Sequence, residues 1–388
     1  MKEIYVTQPS LPDLGEFNEL LSDIWDRKIL TNNGYYHQLL EEELAKYLNV
    51  KYVSLFSNGT LALMVALKVL DVGGEVITTP YSFVATSHSI LWNGCEPVFC
   101  DTEKDSYNID ADKIESLITS KTTAIMPVHV YGIPCDNRKI EAIAKKHNLK
   151  VIYDAAHAFG VEKNGESILN YGDLSILSFH ATKVFNTIEG GAIVSHDIET
   201  KNKIDKLKNF GIVDETTIEA CGINAKMNEL QAAFGLLQLK KIDCSIEKRK
   251  LIFHKYKLCL KGIKGIKLLD ISEDLNYNYS YFPISIDVKE YNCSRDNLYE
   301  ELKENGIFAR KYFYPLISDF EVYKNCKKSD LTQAKLISDN VLCLPLYENL
   351  TDLDIELITG VIWSFQLTST KNNLKKPFAL NEYIVLNN

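Results

Sequence analysis

Residues 150–183 read KVIYDAAHAFGVEKNGESILNYGDLSILSFHATK, and this stretch contains two short apolar runs that each lead into polar side chains. The run at 150–153 is followed by Asp154, and the run at 175–179 is followed by Lys183. Short runs rich in Val, Ile and Leu are typical of the buried strands of a parallel sheet. Because ligands of open α/β sheets bind at the carboxyl ends of the strands, we expect both polar residues at a ligand-binding edge.

Five further apolar runs raise the predicted number of strands in this sheet to seven. They lie at residues 52–56, 75–78, 97–100, 123–128 and 191–195. Amphipathic helical patterns separate several of the runs, and the clearest of these patterns lie at 61–69 and 140–147. Strands that alternate with helices predict an α/β layered domain with a mostly parallel sheet.

The pattern changes after residue 195, and we predict a second domain in this part of the chain. The predicted elements are a helical tract at 227–260, a strand at 279–288, a helix at 295–305, a short strand near 308 and a closing helix at 353–365. We place the boundary near residue 245, inside the long helix. This division gives a large domain at 1–245 and a smaller α+β domain at 246–388.

The composition is that of an ordinary globular protein. Of the 388 residues, 46% are hydrophobic and 24% are charged, with a net charge of -9. Lysine and arginine are scattered along this acidic chain, which argues against a nucleic-acid partner. No apolar run is long enough to cross a bilayer, and no signal-peptide pattern is evident, so we expect a cytoplasmic protein that does not bind membranes.

The sequence motifs of several other site classes are absent. No two of the nine cysteines have the spacing of zinc or redox motifs, and the eight histidines are dispersed, so no metal site is predicted. The chain has no Gly-x-Gly-x-x-Gly after a strand, no Walker-type lysine loop, no His-Glu-x-x-His and no Gly-x-Ser-x-Gly. The absent dinucleotide motif argues against a sugar-nucleotide oxidoreductase.

Lys183 and Asp154 are the residues to which we first assign chemistry. A lysine attacks an aldehyde only as the free amine, so its pKa must fall well below the value of about 10.4 for a solvated lysine. A carboxylate at a strand end can pair with a protonated pyridine nitrogen, which keeps such a cofactor ring an electron sink. The alternatives are that Lys183 is a surface lysine and that Asp154 caps the following helix.

A candidate phosphate site follows the predicted strand at 52–56. The sequence Ser-Asn-Gly-Thr at 57–60 opens the helical pattern, and the N–H groups at a helix start bind phosphate. Gly59 allows the backbone to approach the ligand closely, and Thr60 can cap the helix and donate its hydroxyl. Ser178 is a further hydroxyl on the strand that leads to the lysine. The alternative is that Asn-Gly-Thr forms an ordinary turn.

The ordered set of motifs resembles the DegT/DnrJ/EryC1/StrS family of sugar aminotransferases over nearly the whole chain. The stretches that carry this resemblance are SNGTLAL at 57–63, PYSFVAT at 80–86, DAAH at 154–157, SFHATK at 178–183, EGG at 189–191 and NAKMNELQAA at 224–233. It implies the fold of type I pyridoxal-phosphate-dependent transferases, which is aspartate aminotransferase-like. It also implies a homodimer whose active sites lie at the subunit interface.

The resemblance assigns a role to each matching residue. It makes Lys183 the Schiff-base lysine and proton shuttle, and it makes Asp154 the partner of the pyridinium nitrogen. It makes Gly59, Thr60 and Ser178 the contacts of the cofactor phosphate. The implied cofactor is therefore pyridoxal 5'-phosphate.

Three further roles and two departures also follow from the resemblance. His157 stands where many members carry Gln, beside the ring hydroxyl of the cofactor. Phe83 matches the aromatic residue that stacks on the ring, and Asn224 matches an asparagine that reaches the phosphate of the partner subunit's cofactor. Lys226 stands where members often have Arg, and Ile317 stands where many have His.

The resemblance also implies the substrates. The amino donor is L-glutamate, and the acceptor is a dTDP-linked keto sugar. The stretches VTQPSLP at 6–12 and ILTNNG at 29–34 resemble members that aminate C4 of dTDP-4-keto-6-deoxy-D-glucose for O-antigen biosynthesis. The alternatives are amination at C3 of a dTDP-3-keto-6-deoxyhexose and a non-catalytic sugar-nucleotide-binding protein on the same fold.

Overall fold

The computed structural model describes residues 3–104 and 106–369, and within them the chain alternates between short strands and helices. The strands are Ile4–Tyr5 (β1), Tyr52–Phe56 (β2), Glu75–Thr78 (β3), Glu96–Phe99 (β4), Thr122–Met126 (β5), Lys150–Asp154 (β6), Glu162–Lys163 (β7), Glu166–Ser167 (β8), Leu174–Ser178 (β9), Gly191–Ser195 (β10), Ile266–Leu268 (β11), Leu275–Asn276 (β12), Phe282–Ile286 (β13), Ile307–Phe308 (β14) and Val341–Leu344 (β15). The helices are Leu14–Arg27 (α1), Tyr35–Tyr47 (α2), Gly59–Val69 (α3), Ala85–Trp92 (α4), Ala111–Ile114 (α5), Asn137–His147 (α6), Ile198–Leu207 (α7), Glu229–Leu260 (α8), Val288–Tyr291 (α9), Arg295–Glu304 (α10), Thr332–Asn340 (α11) and Asp352–Ser369 (α12).

The central sheet has seven strands in the order β2-β10-β9-β6-β5-β3-β4. All pairs among β9, β6, β5, β3 and β4 are parallel, whereas β10 runs antiparallel to both of its neighbours. The predicted α/β fold and its seven strands are confirmed, with ends that differ by one or two residues. The prediction succeeded because these runs are buried on both faces, and such strands are continuously apolar.

The sheet brings the polar strand ends together at one edge. Strands β6 and β9 are parallel neighbours, and Asp154 at the end of β6 pairs in register with Ile176. Ser178 therefore ends β9 at the same edge, where it pairs with Gly191 of β10. Gly191 pairs on its other side with Phe56 at the end of β2. Three strand ends and one strand start thus border a common site.

The C-terminal part contains a smaller antiparallel sheet in the order β11-β13-β15. The predicted boundary near residue 245 lies inside α8, and the division at that residue stays a prediction. One hydrophobic cluster joins the two parts, since it extends from Leu40 and Leu177 to Ile284 and Ile358. The last part of the predicted small domain, residues 370–388, lies outside the described residues.

The strand predicted at 279–288 is shorter in the structure, where β13 covers Phe282–Ile286. Its end is set by Asp287, whose side chain accepts the N–H groups of Lys289 and Glu290 and so caps α9. Because its side chain bonds to the backbone of the next helix, Asp287 ends the strand, although Val288 after it continues the apolar pattern.

Residues 3–104 and 106–369 lack a membrane-spanning helix, a metal-binding group of side chains and a disulfide bond. None of the helices there is both long and apolar enough to cross a membrane. No group of His, Cys, Asp and Glu side chains in the same residues could hold a metal ion. The nine cysteines all lie in this range, and every one is a free thiol.

Candidate active site

Asp154 is a buried carboxylate that two hydrogen bonds hold at the end of β6. The Thr86 hydroxyl of α4 donates to Oδ2 at 2.7 Å, and the Ala156 N–H donates to Oδ1 at 3.1 Å. Burial raises the pKa of Asp154, although these bonds and the charge of Lys183 oppose the shift. The next regular element is the strand β7, so Asp154 does not cap a helix. Within the described residues it forms no ion pair.

Lys183 lies in a turn beyond β9 and is only partly exposed, so it is not an ordinary surface lysine. Its N–H donates to the His180 carbonyl at 2.9 Å, which closes the turn. Burial lowers the pKa of Lys183 to about 8, and the carboxylate of Asp154 opposes part of that shift. About one-tenth of the amine is therefore free at pH 7, compared with less than about one-thousandth for a solvated lysine.

His157 is a neutral imidazole beside these two groups. Burial, with the charge of Lys183, holds its pKa well below the usual value. The Tyr131 N–H donates to Nδ1 at 3.1 Å, so the ring proton of the neutral form lies on Nε2. The ring stacks on Phe313 with a centroid distance of 5.9 Å and an interplanar angle of 2°. His157 thus presents a fixed donor to the site.

The stretch predicted to bind phosphate forms a helix start in contact with β9, and its role toward a phosphate stays a prediction. One detail of the helix start was wrong. Helix α3 begins at Gly59, and its cap is Asn58, whose side chain accepts the Leu61 N–H at 2.9 Å. Thr60 was predicted to be the cap but lies one residue inside the helix. Its N–H and that of Gly59 belong to the first turn, where amides lack partners within the helix.

Two glycines allow the backbone to pack tightly at this helix start. A Cβ at Gly59 would lie 3.1 Å from Ser178 Cβ, which places the predicted serine against the first turn of α3. A Cβ at Gly191 would lie 2.7 Å from the Gly59 nitrogen, a distance that real Cβ atoms do not show. Gly191 therefore has a structural role, because no side chain would fit between β10 and the start of α3.

Phe83 lies in the turn before α4, and its side chain is 59% exposed. The Thr86 N–H donates to the Phe83 carbonyl at 3.2 Å. The same turn thus holds an accessible aromatic ring and the hydroxyl that binds Asp154. Ile317 supports this turn, since its N–H donates to the Pro80 carbonyl at 3.0 Å while its side chain is buried.

Asn224 lies on the surface, outside the group formed by Lys183, Asp154 and His157. Its Oδ1 accepts the Lys226 amine at 3.0 Å, and the same amine donates to Asn209 Oδ1 at 2.6 Å. Among the hydrogen bonds of the described residues, none joins Asn224 to the other predicted site residues. Its implied role toward a partner subunit stays a prediction.

Two residues of this site were not assigned a role from the sequence. Thr86 lies three residues after Phe83 in the stretch PYSFVAT at 80–86, and this spacing was the one signal from which a place in the site could have been predicted. Tyr281 lies with its hydroxyl 3.5 Å from the Lys183 amine, across 98 residues of chain. No local pattern could have indicated the second contact, since it depends on how the segment before β13 packs against the turn beyond β9.

The low-pKa lysine, the buried aspartate and the helix start lie within a stretch that matches a known protein family. The model of the DegT/DnrJ/EryC1/StrS aminotransferase family matches residues 13–362. The chain belongs to this aminotransferase family. The match covers all of the site residues described above, and it confirms the recognition made from the ordered motifs and the predicted enzyme class.

Individual relatives are similar over most of their length. A protein of Escherichia coli named dTDP-4-amino-4,6-dideoxy-D-glucose transaminase is 54% identical over 364 residues, which are 93% of this chain and 97% of the relative. A Shigella dysenteriae protein of the same name is 53% identical, with 93% and 98% covered. The structure of DesI in the presence of its TDP-sugar product matches with a TM-score of 0.91 and 31% identity, over 96% of this chain and 94% of DesI.

Proposed function

We propose that this sugar aminotransferase moves an amino group from L-glutamate to C4 of dTDP-4-keto-6-deoxy-D-glucose and gives dTDP-4-amino-4,6-dideoxy-D-glucose. The observation that carries the proposal is the pairing of a low-pKa lysine with a buried aspartate in a chain 54% identical to a transaminase of that name. The product suits O-antigen synthesis. We place the reaction in the cytoplasm, and the nine free thiols fit a reducing compartment.

The described residues fit pyridoxal phosphate as the cofactor. Asp154 is a buried carboxylate whose pKa is raised, so a cationic ring nitrogen would supply the ion-pair partner that it lacks. The first turn of α3 offers the N–H groups of Gly59 and Thr60 to a phosphate, with the Ser178 hydroxyl beside them. The exposed ring of Phe83 offers a face for stacking.

The bound cofactor would supply an aldehyde for bonding to amines and a ring that withdraws electrons from the substrate α-carbon. Lys183 then performs the proton transfers. Its free amine would take the proton from the glutamate α-carbon, hold it on Nζ and release it again nearby. Its pKa of about 8 suits a group that must both accept and release a proton near neutral pH.

Asp154 and His157 keep the cofactor in its reactive form. The carboxylate would hold a ring nitrogen protonated, and the hydrogen bonds from Thr86 and Ala156 fix the orientation of the carboxylate. The His157 Nε2–H is a donor for the ring hydroxyl, because Nδ1 is occupied by the Tyr131 N–H. The protein's own hydrogen bonds hold both side chains in place, so little reorganisation would be needed when charge develops on a bound ring.

We further propose a homodimer in which Asn224 reaches the partner's cofactor phosphate. Large apolar side chains are exposed on the loop that precedes Asn224, including Phe210 at 47% and Ile218 at 69%. Exposed apolar patches of this kind mark protein interfaces. Lys226 binds Asn224 and has no carboxylate partner in the described residues, so it adds a positive charge beside that asparagine.

The substrate proposal is tested by product analysis. The enzyme with pyridoxal phosphate is incubated with L-glutamate and dTDP-4-keto-6-deoxy-D-glucose, and the sugar product is examined by NMR. We expect 2-oxoglutarate and a product with nitrogen on C4. A parallel incubation offers a dTDP-3-keto-6-deoxyhexose as the acceptor. Amination of this sugar at C3 alone would indicate the other regiochemistry, and the absence of an aminated product with either sugar would contradict the proposal.

A further inference from the structure

The hydroxyl of Tyr281 is buried next to the amine of Lys183. The two atoms lie 3.5 Å apart, and the tyrosine is 8% exposed. The hydroxyl has no second hydrogen-bond partner within the described part of the chain. A buried phenolic hydroxyl usually has such partners, so its one contact with the reactive amine calls for an explanation.

Other aromatic rings hold Tyr281 in place. Its ring centroid lies 4.8 Å from His157, 5.4 Å from Tyr131 and 5.7 Å from Tyr312. Tyr131 is itself fixed, because its hydroxyl donates to the Tyr312 carbonyl at 2.6 Å and hydrogen-bonds to Tyr81. The Tyr281 hydroxyl is therefore held at a defined position against the site.

We propose that Tyr281 is the residue that positions the Lys183 amine whenever this lysine is not bonded to the cofactor. This inference rests on the proposed aminotransferase function and adds a residue to its site. Tyr281 directly precedes β13 in the C-terminal part of the chain, whereas Lys183 lies beyond β9 of the central sheet. Tyr281 thus couples the packing of these two parts to the reactive nitrogen.

The chemistry of the hydroxyl suits both protonation states of the lysine. It accepts a hydrogen bond from the ammonium and donates one to the free amine. The amine takes one proton from the α-carbon and becomes an ammonium that is hydrogen-bonded to Tyr281 Oη. It then passes on that same proton. The tyrosine keeps its own proton throughout, because burial holds its pKa well above the usual value. The other titratable groups facing the amine are Asp154 and His157.

The test compares Tyr281→Phe with Tyr277→Phe. Both changes remove one buried hydroxyl near β13, but the Tyr277 hydroxyl donates to the Tyr131 carbonyl at 2.7 Å and does not contact Lys183. The first readout needs no cofactor. Lys183 of the apoprotein is labelled with acetic anhydride across a pH series, and the labelled peptide is quantified by mass spectrometry. We expect Tyr281→Phe to lower the apparent pKa of Lys183 by about 0.5 or more, because the ammonium loses an acceptor.

The second readout is the half-reaction with glutamate, followed by stopped-flow absorbance with protonated and α-deuterated donor. We expect Tyr281→Phe to slow it about 10-fold and to raise the isotope effect, because a poorly placed amine makes proton transfer rate-limiting. Tyr277→Phe should keep the wild-type rate, isotope effect and Lys183 pKa.

The possible results separate this inference from the proposed function. If wild type and Tyr281→Phe agree in pKa, rate and isotope effect, Tyr281 does not position the lysine. Equal losses in both variants would assign the effect to packing and would also overturn the inference. If wild type itself fails to react with any amino donor, the proposed function is wrong, and the labelling still decides whether Tyr281 acts on Lys183.

Discussion

Two clusters of buried titratable groups in this molecule differ in how their charges are compensated. Around Glu41, each oxygen of the carboxylate is bonded to a cation. Lys201 donates to Oε2 at 2.8 Å, and Lys208 donates to Oε1 at 3.1 Å. Around Lys183, by contrast, the nearest partner is a neutral hydroxyl at 3.5 Å, and within the described residues the amine has no ion pair.

The pKa values follow this difference in pairing. Burial alone would raise the pKa of Glu41, but the charge of Lys208 and the hydrogen bond from His37 hold it well below its usual value. Burial shifts Lys183 and Asp154 toward their neutral forms, and their mutual attraction only reduces those shifts. The first cluster keeps its charges and contributes to structure. The second is poised to exchange protons, which is the pattern of a functional site.

The largest expected effect comes from Lys183→Ala. If the uncompensated cluster is the catalytic one, losing its amine removes both cofactor attachment and proton transfer, so amino transfer should fall by about 10³-fold or more. The free energy of unfolding should stay equal or rise, because a buried cation without an ion pair is removed. Steady-state 2-oxoglutarate release and urea unfolding measure the two quantities. Activity within about 10-fold of wild type would show that Lys183 is not the reactive group.

Asp154→Asn is expected to have the next largest effect. Asparagine keeps the shape and can still accept the Ala156 N–H, so the fold should persist. The loss of charge near the ring nitrogen should lower the rate constant of the glutamate half-reaction by about 10²-fold to 10³-fold. Stopped-flow absorbance with saturating glutamate provides this rate. A drop in cofactor affinity alone, with an unchanged rate constant, would contradict the role assigned to the carboxylate.

Glu41→Gln tests the other cluster and should change stability instead of activity. It removes one of the two carboxylates that Lys201 and Lys208 share, since both lysines keep Asp205. We expect a loss of about 2 kcal/mol of unfolding free energy, because charge-assisted hydrogen bonds at a largely buried carboxylate are lost. The matched control is Glu43→Gln, whose partner Lys46 is 68% exposed, and this change should leave the free energy of unfolding nearly unchanged. Urea unfolding measures both variants. Equal small losses in both variants would show that the Glu41 cluster stabilises the fold no more than an exposed ion pair does.

The pH dependence of Glu41→Gln follows from the same pairing. Because the folded-state pKa of Glu41 lies below its unfolded value, the carboxylate contributes stability above the unfolded pKa of about 4.3, and this is lost as the pH falls through the folded pKa. The stability gap between wild type and the variant should therefore be full at neutral pH and close in acid. A gap that persists unchanged in acid would show that ionisation of Glu41 does not stabilise the fold.

The smallest expected effect is the pH profile of cofactor capture by the apoprotein. The free amine is the form that reacts, and its fraction should rise from about one-tenth at pH 7 to about nine-tenths at pH 9 for a pKa of about 8. The second-order rate of capture should rise about 10-fold over that interval after correction for ionisation of the cofactor. A rate that keeps rising toward pH 10.4 would mean that the amine is solvated.

Much of the fold could be predicted because its signals are local. The seven strands of the central sheet are short apolar runs, and the capping box at Asn228 and Gln231 begins the long α8 close to its predicted start. The two-residue strands β1, β7, β8, β12 and β14 were mostly missed, since pieces of that length carry no periodicity. β1 exists because Ile4 pairs with Ile307 from the other end of the chain.

The candidate site, like the fold, was predictable where its signals are local in the sequence. Asp154 and Ser178 end strands of the sheet and Lys183 follows one, so the topology brings all three to one edge. The cap of α3 was misassigned to Thr60, because Asn58 and Thr60 are both good capping residues and sequence alone does not fix the first helical residue. The position of Tyr281 depends on tertiary packing, which no local pattern encodes.

The central claim is that Lys183 is the residue that bonds to pyridoxal phosphate. Apoprotein is titrated with the cofactor, reduced with borohydride and digested, and the modified peptide is identified by mass spectrometry. The account predicts a visible absorption band that saturates at one cofactor per chain and a label on Lys183 alone, with no band for Lys183→Ala. An unlabelled Lys183, or an equal band in the variant, would contradict it.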